Sequence, residues 1–455
     1  MLEKVILESG GADAQAEALK NKILSSEDTI KDRKNIYYVS QNGDDSNDGL
    51  SPEKAIKSFK RIAQLTLSEG DAILLERGSV FRQEEMLWIR SDDVCLGAYG
   101  EGEKPLVYGS VKNYADPTLW QKTEEENVWV TKVPIGVKAV GGVFFNQTES
   151  IGVWKFTKEE LKEEGDFYND NEVGLLYLYY NENPGECFNN IEISTTNASI
   201  RASYIKGLYA ENINFQYFTF GAFHLGEVSD IYVTNCVVGW CGGGLFSANR
   251  EKNTHCRYGN AFQVWYLAEN INVNNCWFYQ IFDAAVTFQG FGEKNANFVN
   301  IAFQDNLIEY CSMNIEFWAG NAGVDRHLAN IENILYKGNL IRFSGYGWAG
   351  RQREKMDNQA AILGWNFSYE KINNFVITDN IIDCADCHMI YTKSPKEQAG
   401  LTVYNNTYYQ KPTSGFHDCV EIVKGLNIMP VGEKELKEAI ATFEEKPKLV
   451  KWLDK

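Results

Sequence analysis

YVTNCVV (232–238), NVNNCWF (272–278), AFQDNLI (302–308), LYKGNLI (335–341), VITDNII (376–382) and TVYNNTY (402–408) are six copies of one unit: an apolar strand, a polar turn and a second apolar strand. Aligned on the turn, they place Cys236, Cys276, Asn306, Asn339, Asn380 and Asn406 in one column, and Asn214 begins it. Stacked Asn side chains in equivalent turns bond along the stack, and Asn tolerates the left-handed backbone of such turns. So short a unit can bury its apolar face only against its neighbours, so the copies stack into a solenoid with one continuous core. Their irregular spacing, with excess length at particular corners, suits a solenoid with functional loops. In that frame Cys236 and Cys276 are small residues of an internal stack, and Cys241 and Cys311 end strands pointing inward.

A further strand follows each turn column, delayed in two rungs by the long inserts 242–260 and 345–359. These strands are AFHLG (222–226), AFQVW (261–265), AVTFQ (285–289), NIEFW (314–318), AILGW (361–365) and HMIYT (388–392). Side chains alternate between the faces of a strand. The second column, Phe223, Phe262, Val286, Ile315, Ile362 and Met389, is apolar and therefore interior, and the fourth column joins it. The first (Ala222, Ala261, Ala285, Asn314, Ala361, His388), the third (His224, Gln263, Thr287, Glu316, Leu363, Ile390) and the fifth (Gly226, Trp265, Gln289, Trp318, Trp365, Thr392) then face outward. A row of Ala beside a row of Trp makes a shallow trough with an aromatic rim. Either another layer covers it, the C-terminal segment or a second subunit of a homo-oligomer, or it is a groove for sugars. In the groove, Trp265, Trp318 and Trp365 stack on sugar rings while Gln263, Thr287, Gln289, Asn314, His224 and His388 meet hydroxyls.

Glu316 is the sole carboxylate in that trough. Flanked by large aromatics, its pKa is expected to rise, which suits a general acid. Glycoside hydrolysis uses two carboxyl groups, roughly 5–5.5 Å apart for retention and 6.5–9.5 Å for inversion. Asp283 lies on the neighbouring rung, four positions along the strand. At ~3.3 Å per residue and ~4.8 Å per rung the two backbones are about 14 Å apart. Unless side chains or a bulge close that gap, the partner comes from a loop: Asp357 or Glu354 in the second insert, or Asp325. The inserts also carry Arg257, Arg351, Arg353 and Lys355, which overhang the wall and as a cluster can neutralise a substrate carboxylate.

The bulk numbers restrict the partners. A formal net charge of −18 argues against nucleic acid, whose phosphates need concentrated Lys and Arg. No run approaches the ~20 consecutive apolar residues of a membrane span. The N-terminus MLEKVILESGG lacks the apolar segment and cleavage site of a secretory signal, so a cytoplasmic address is expected. There the 10 Cys are expected to be mostly reduced thiols. Cys384 and Cys387 have the spacing of half a zinc site, with no second pair. Asp44, Ser46, Asp48 and Gly49 begin like a calcium loop, but Ala55 stands where its closing Glu is needed. No metal and no cofactor are expected.

Residues 11–24 read as a short helix, IYYVS (36–40) as a strand, NGDDSNDG (42–49) as a turn, and SPEKAIKSFKRI (51–62) as a second helix with Ser51 at its cap and Pro52 at its first position. YYVSQNGDDSNDGLSPEKAIKSFKRI (37–62), GDAILLERGSVFR (70–82), GAYGEGEKPLVYGS (97–110) and the later LYLYYNENPGECFNNIEIS (176–194) resemble the opening segment of bacterial pectate-lyase-like β-helix proteins. The resemblance implies an all-β chain wound as a right-handed parallel β-helix, with N-terminal capping helices that plug the first coil. The expected layout is an N-terminal helical segment (1–35), the β-helix (36–412, its regular coils from 200) and a C-terminal helical cap (413–455). In the last of these, EKELKEAIATFEEKPKLVKWL (433–453) covers the open strand edges.

The architecture implies no single reaction, because lyases, hydrolases, epimerases and non-catalytic tailspikes share it. The first expectation is a glycoside hydrolase acting on imported oligosaccharides. The second is a polysaccharide lyase or uronate epimerase with a base drawn from His224, His388, Lys393 or the loop Arg residues. The third is a carbohydrate-binding β-helix without turnover.

Overall fold

In the computed structural model, which describes residues 2–3, 8–134, 140–249, 252, 254–291, 296–320, 329–353, 358–365, 370–414, 417 and 419–454 (side chains at 2, 3, 291, 320, 365 and 370 excepted), the repeated units stack in parallel register as three walls. The side wall contains Leu87–Ile89, Ala198–Ser203, Ala284–Phe291, Met313–Gly320, Ala360–Trp365 and His388–Tyr391. The long strands Gly221–Thr234 and Phe262–Asn274 begin on this wall and run on into the second. The third wall is a ten-stranded parallel sheet from Val80–Arg82 to Leu449–Trp452. Phe223, Phe262, Val286, Ile315 and Ile362 are in register and fully buried in the common core.

The turn stack forms as a ladder of amides. Asn306, Asn339 and Asn380 each donate Nδ2–H to Oδ1 of the next Asn at 2.9 Å, ending at Asn406. Glu444 closes the ladder by accepting from Asn406 N, Asn406 Nδ2 and the Tyr408 hydroxyl. Two details differ from the sequence expectation. Asn214 pairs with Val237, so Ile213 and not Asn214 occupies the ladder column. The left-handed position is the residue before the ladder, occupied by Asn212, Asn235, Asn275, Asp305, Gly338, Asp379 and Asn405. The ladder Asn residues serve instead as buried hydrogen-bonding groups. A second, more exposed ladder links Asp230, Asn270, Asn300, Asn333 and Asn374 at another corner. Replacing Asn339 with Leu would strand the Asn306 N–H and the Phe303 carbonyl inside the protein. Each orphaned group costs about 1–3 kcal/mol. A clear fall in the urea midpoint is expected, and an unchanged midpoint would show the ladder to be energetically idle.

The first side-wall column corrects an expectation. Ala222, Ala261, Ala285, Asn314 and Ala361 do not face outward; all are fully buried. The amides of Ala222 and Phe223 both bond to the carbonyl of Ala261, so two successive residues point inward at the corner, as at a β-bulge. The residues one position earlier, Ala284, Met313 and Ala360, form an apolar cluster with Leu363 outside that core. The last rung is also offset by one residue. Ile390 pairs with Ile362 and Tyr391 with Leu363, so Tyr391 takes the third column expected for Ile390. Such a slip exchanges the faces of every side chain in a strand.

The ends are closed differently. Only a 3-10 turn (Pro52–Lys54) and a short helix (Phe59–Ile62) form in 51–62, and Phe59 and Ile62 enter the first coil's core. The longer helix Asp13–Leu24 straps the outside of the third wall, packing Ala16 and Ile23 against Val237, Leu307 and Leu340. The helix Glu433–Phe443 buries Leu436, Ala439, Ile440 and Phe443 in the core, and Leu449–Trp452 then adds one more parallel strand. Between coils, the chain leaves the solenoid and builds two small sheets from strands within 121–193, one of them joined by Leu2–Glu3, with a separate apolar core around Phe145, Phe167 and Leu178. Cys387 and Cys419 form a disulfide, which departs from the expectation of reduced thiols at Cys387; eight cysteines are free. The acids of the 43–49 turn bond its own backbone: Asp44 accepts from Ser46 N, and Asp48 from Leu50 N. Among the described residues no helix is long and apolar enough to cross a membrane.

Candidate active site

A cavity of about 1180 Å³ lies on the side wall. Strand alternation supplies its floor: Gln263, Glu316 and His224 from the third column, and Trp265, Gln289 and Trp318 from the fifth, all line it. The rung pairings Gln263–Thr287–Glu316 and Trp265–Gln289–Trp318 are those the alignment anticipates. The inserts supply the walls. The strands Gly244–Asn249 and Thr254–Tyr258 pair antiparallel, with Phe246, Cys256 and Tyr258 lining the cavity, and the second insert contributes Arg353 and Asn358.

Glu316 is buried, with Oε2 accepting from the Thr287 hydroxyl at 3.0 Å and from Gln289 Nε2 at 2.5 Å. Burial, and after it the negative charge of Asp283, push its pKa up to about 8 against the pull of those two hydrogen bonds. Near neutral pH it is therefore largely a protonated acid. Asp283 lines the same cavity as an ion-paired carboxylate, 2.8 Å from Arg353 Nη1. Arg353 is itself fixed by the Phe282 and Arg257 carbonyls and the Ser312 hydroxyl. The two acids line one cavity, and the Asp283 charge acts on Glu316. The consecutive inward residues Ala285 and Val286 interrupt the even alternation between them, and Arg353 holds the Asp283 carboxylate at the cavity.

Trp265 and Trp318 sit two rungs apart, yet their rings meet edge to face with centroids 5.8 Å apart. They bracket Gln289 instead of forming a flat stack. The Gln263 carbonyl is already used by Asn260 Nδ2 at 2.9 Å.

Other expected site residues lie elsewhere. Asn314 is inside the coil, donating to the Ser344 hydroxyl and the Ala360 carbonyl. Arg257 is buried, donating to the carbonyls of Gly243 and Gly141 over the Phe282 ring, where burial and the Arg353 charge lower its pKa to about 9. Arg351 lies on the short helix Trp348–Gln352 and is not among the cavity-lining residues. His388 lies in the last rung beside the Cys387–Cys419 bridge and Glu421, where the 419–424 segment covers the wall's end. Asp325, Glu354, Lys355 and Asp357 fall outside the described residues, as does the Trp365 side chain. The sequence reading missed Trp88, Arg90, Arg201 and Tyr204, which extend the cavity floor beyond the first aligned rung. The signal for them was the ASIRAS stretch (198–203), one rung upstream of AFHLG.

No protein-family model and no curated protein matches the chain. Among solved structures it is similar to one described as a glycoside hydrolase (12% identity, covering 84% of this chain and 89% of that one, TM-score 0.46). It is also similar to a lacto-N-biosidase from Eubacterium ramulus (13%, 92% and 68%, TM-score 0.34) and to a rhamnogalacturonan lyase (11%, 86% and 85%, TM-score 0.35). Likeness at this level carries no chemistry across, so the functional reading rests on the site.

Proposed function

We propose that the chain is a carbohydrate-active enzyme, a glycoside hydrolase that cleaves oligosaccharides in the side-wall cleft of a right-handed β-helix. The observation that carries the proposal is the pair of carboxyl groups in one cavity, one pushed up to a pKa of about 8 and the other held as an ion pair. A carboxyl group kept protonated beside an ion-paired carboxylate suits the acid and base roles. Glu316 then protonates the leaving oxygen. Asp283, oriented by Arg353, acts as the base or nucleophile.

Trp265 and Trp318 offer apolar edges to the sugar, and Gln289 bonds Glu316 between them. Truncating Trp265 to Ala is expected to weaken oligosaccharide binding about tenfold, the worth of roughly 1.5 kcal/mol of aromatic contact. Calorimetric titration reads this directly, and unchanged affinity would remove the ring from the subsite. The test of the reaction is product analysis on a mixture of oligosaccharides. New reducing ends without ultraviolet absorbance support hydrolysis, whereas an absorbing unsaturated product would mean a lyase.

A further inference from the structure

The floor of the cleft changes character away from the two acids. In its third column the rungs run Glu316, Thr287, Gln263, His224, Arg201 and Trp88. Arg201 is exposed and lies over the exposed Trp88 ring at 4.4 Å, and Arg90 lies over the same ring at 5.3 Å. Among the described residues no carboxylate forms an ion pair with either guanidinium, although Glu227 also lines this end and the chain carries a net charge of −18. Two cations left without acids in so acidic a protein are placed for a ligand. His224 lines the cleft between Arg201 and Gln263. Its Nε2 is out of solvent and without a hydrogen-bond partner. Burial, and then the charge of Arg201, lower the His224 pKa to about 4, so at neutral pH the ring is uncharged and adds no third cation.

We infer that this end of the cleft is a subsite for a carboxylate-bearing sugar, held by Arg201 and Arg90 with its ring against Trp88. The inference rests on the cleft being an oligosaccharide site. A guanidinium matches a carboxylate in plane and can bind it through two parallel hydrogen bonds. Its position sets a ruler. Arg201 is four rungs from Glu316, about 19 Å at ~4.8 Å per rung. The acidic unit therefore sits several sugar residues from the bond that is cleaved, and only a chain of about tetrasaccharide length reaches both places.

The test is calorimetric titration, at low salt, of the full chain carrying Glu316→Gln. The probes are tetrasaccharides with a terminal uronic acid, their methyl esters, and analogues bearing a sulfate in place of the carboxyl group. The acid form is expected to bind at least about tenfold tighter than its ester, and Arg201→Met with Arg90→Met to bring that ratio close to one. Both side chains are exposed, so an unchanged melting temperature is expected for the double variant. Equal affinity for acid and ester, no binding of any acidic member, or a preference that survives the double substitution would overturn the subsite. Tighter binding of the sulfate would overturn the assignment to a carboxylate. Wild-type turnover of neutral oligosaccharides with no acidic preference would sink the subsite and leave the hydrolase reading standing. Acidic preference without turnover of any probe would do the reverse.

Discussion

Glu316→Gln is expected to lower kcat by about 10²–10⁴-fold while leaving oligosaccharide affinity nearly unchanged, the range general acid catalysis contributes. Gln keeps an oxygen for the Thr287 hydroxyl and the Gln289 amide, so the local packing survives. What it loses is the proton that Glu316 retains up to about pH 8. The same proton sets a stability signature. In the unfolded chain Glu316 ionises near its ordinary value of 4.5, but in the folded chain only near 8. Between those values the folded state binds the extra proton, so this group's stabilising contribution is whole below the lower value and is lost as pH rises through the upper one. The slope approaches about 1.4 kcal/mol per pH unit inside the window. The variant has no such dependence. Its melting temperature should therefore gain on the wild type from pH 5 to pH 8 and then hold that lead. A difference that is flat over this range, or near-normal turnover, would remove Glu316 as the acid.

Asp283→Asn is the second large effect. It removes the ion-paired carboxylate and should also lower turnover by about 10²–10⁴-fold, whether Asp283 activates water or attacks the sugar directly. It has a second consequence that a merely structural residue would not share. The Asp283 charge is, after burial, the next cause of the raised Glu316 pKa, so its removal should move the Glu316 titration downward while burial still holds it above the ordinary range. The pH window of the melting-temperature comparison should narrow from its upper end in an Asp283→Asn background. Arg353, buried and left without its acid, makes this variant less stable at every pH. That loss is distinguishable because it does not move the window. An unmoved window with retained activity would return the second carboxyl role to another residue.

The turn units sufficed to read a parallel solenoid from sequence because they are local: strand, turn and strand lie within a few residues, and their alternation names the interior face. The same alternation placed Glu316 beside Thr287 and Trp318 in its proper rows. It failed where the chain turns. At the corner, two successive inward residues reversed the faces of the Ala column and took Asn314 into the core. In the last rung a single extra residue shifted the register. Neither is visible in composition, because Ala and Asn suit either face and the choice is made by packing against the adjacent coils. The basic end of the cleft was missed for a related reason. Trp88 and Arg201 are far apart in sequence, and only parallel pairing of their strands makes them neighbours.

What the sequence determined by itself is the repeat, the buried amide ladder and the acid-bearing outward row, since periodicity in a strand is a property of the backbone. What only the tertiary structure decided is which polar residues converge. The Asp283 charge reaches Glu316, Arg353 orients Asp283, and Arg257, which from sequence belonged with the substrate, is a buried brace bonded to carbonyls. Those outcomes depend on how two long inserts fold back over the wall, and contacts so distant in sequence leave no periodic trace.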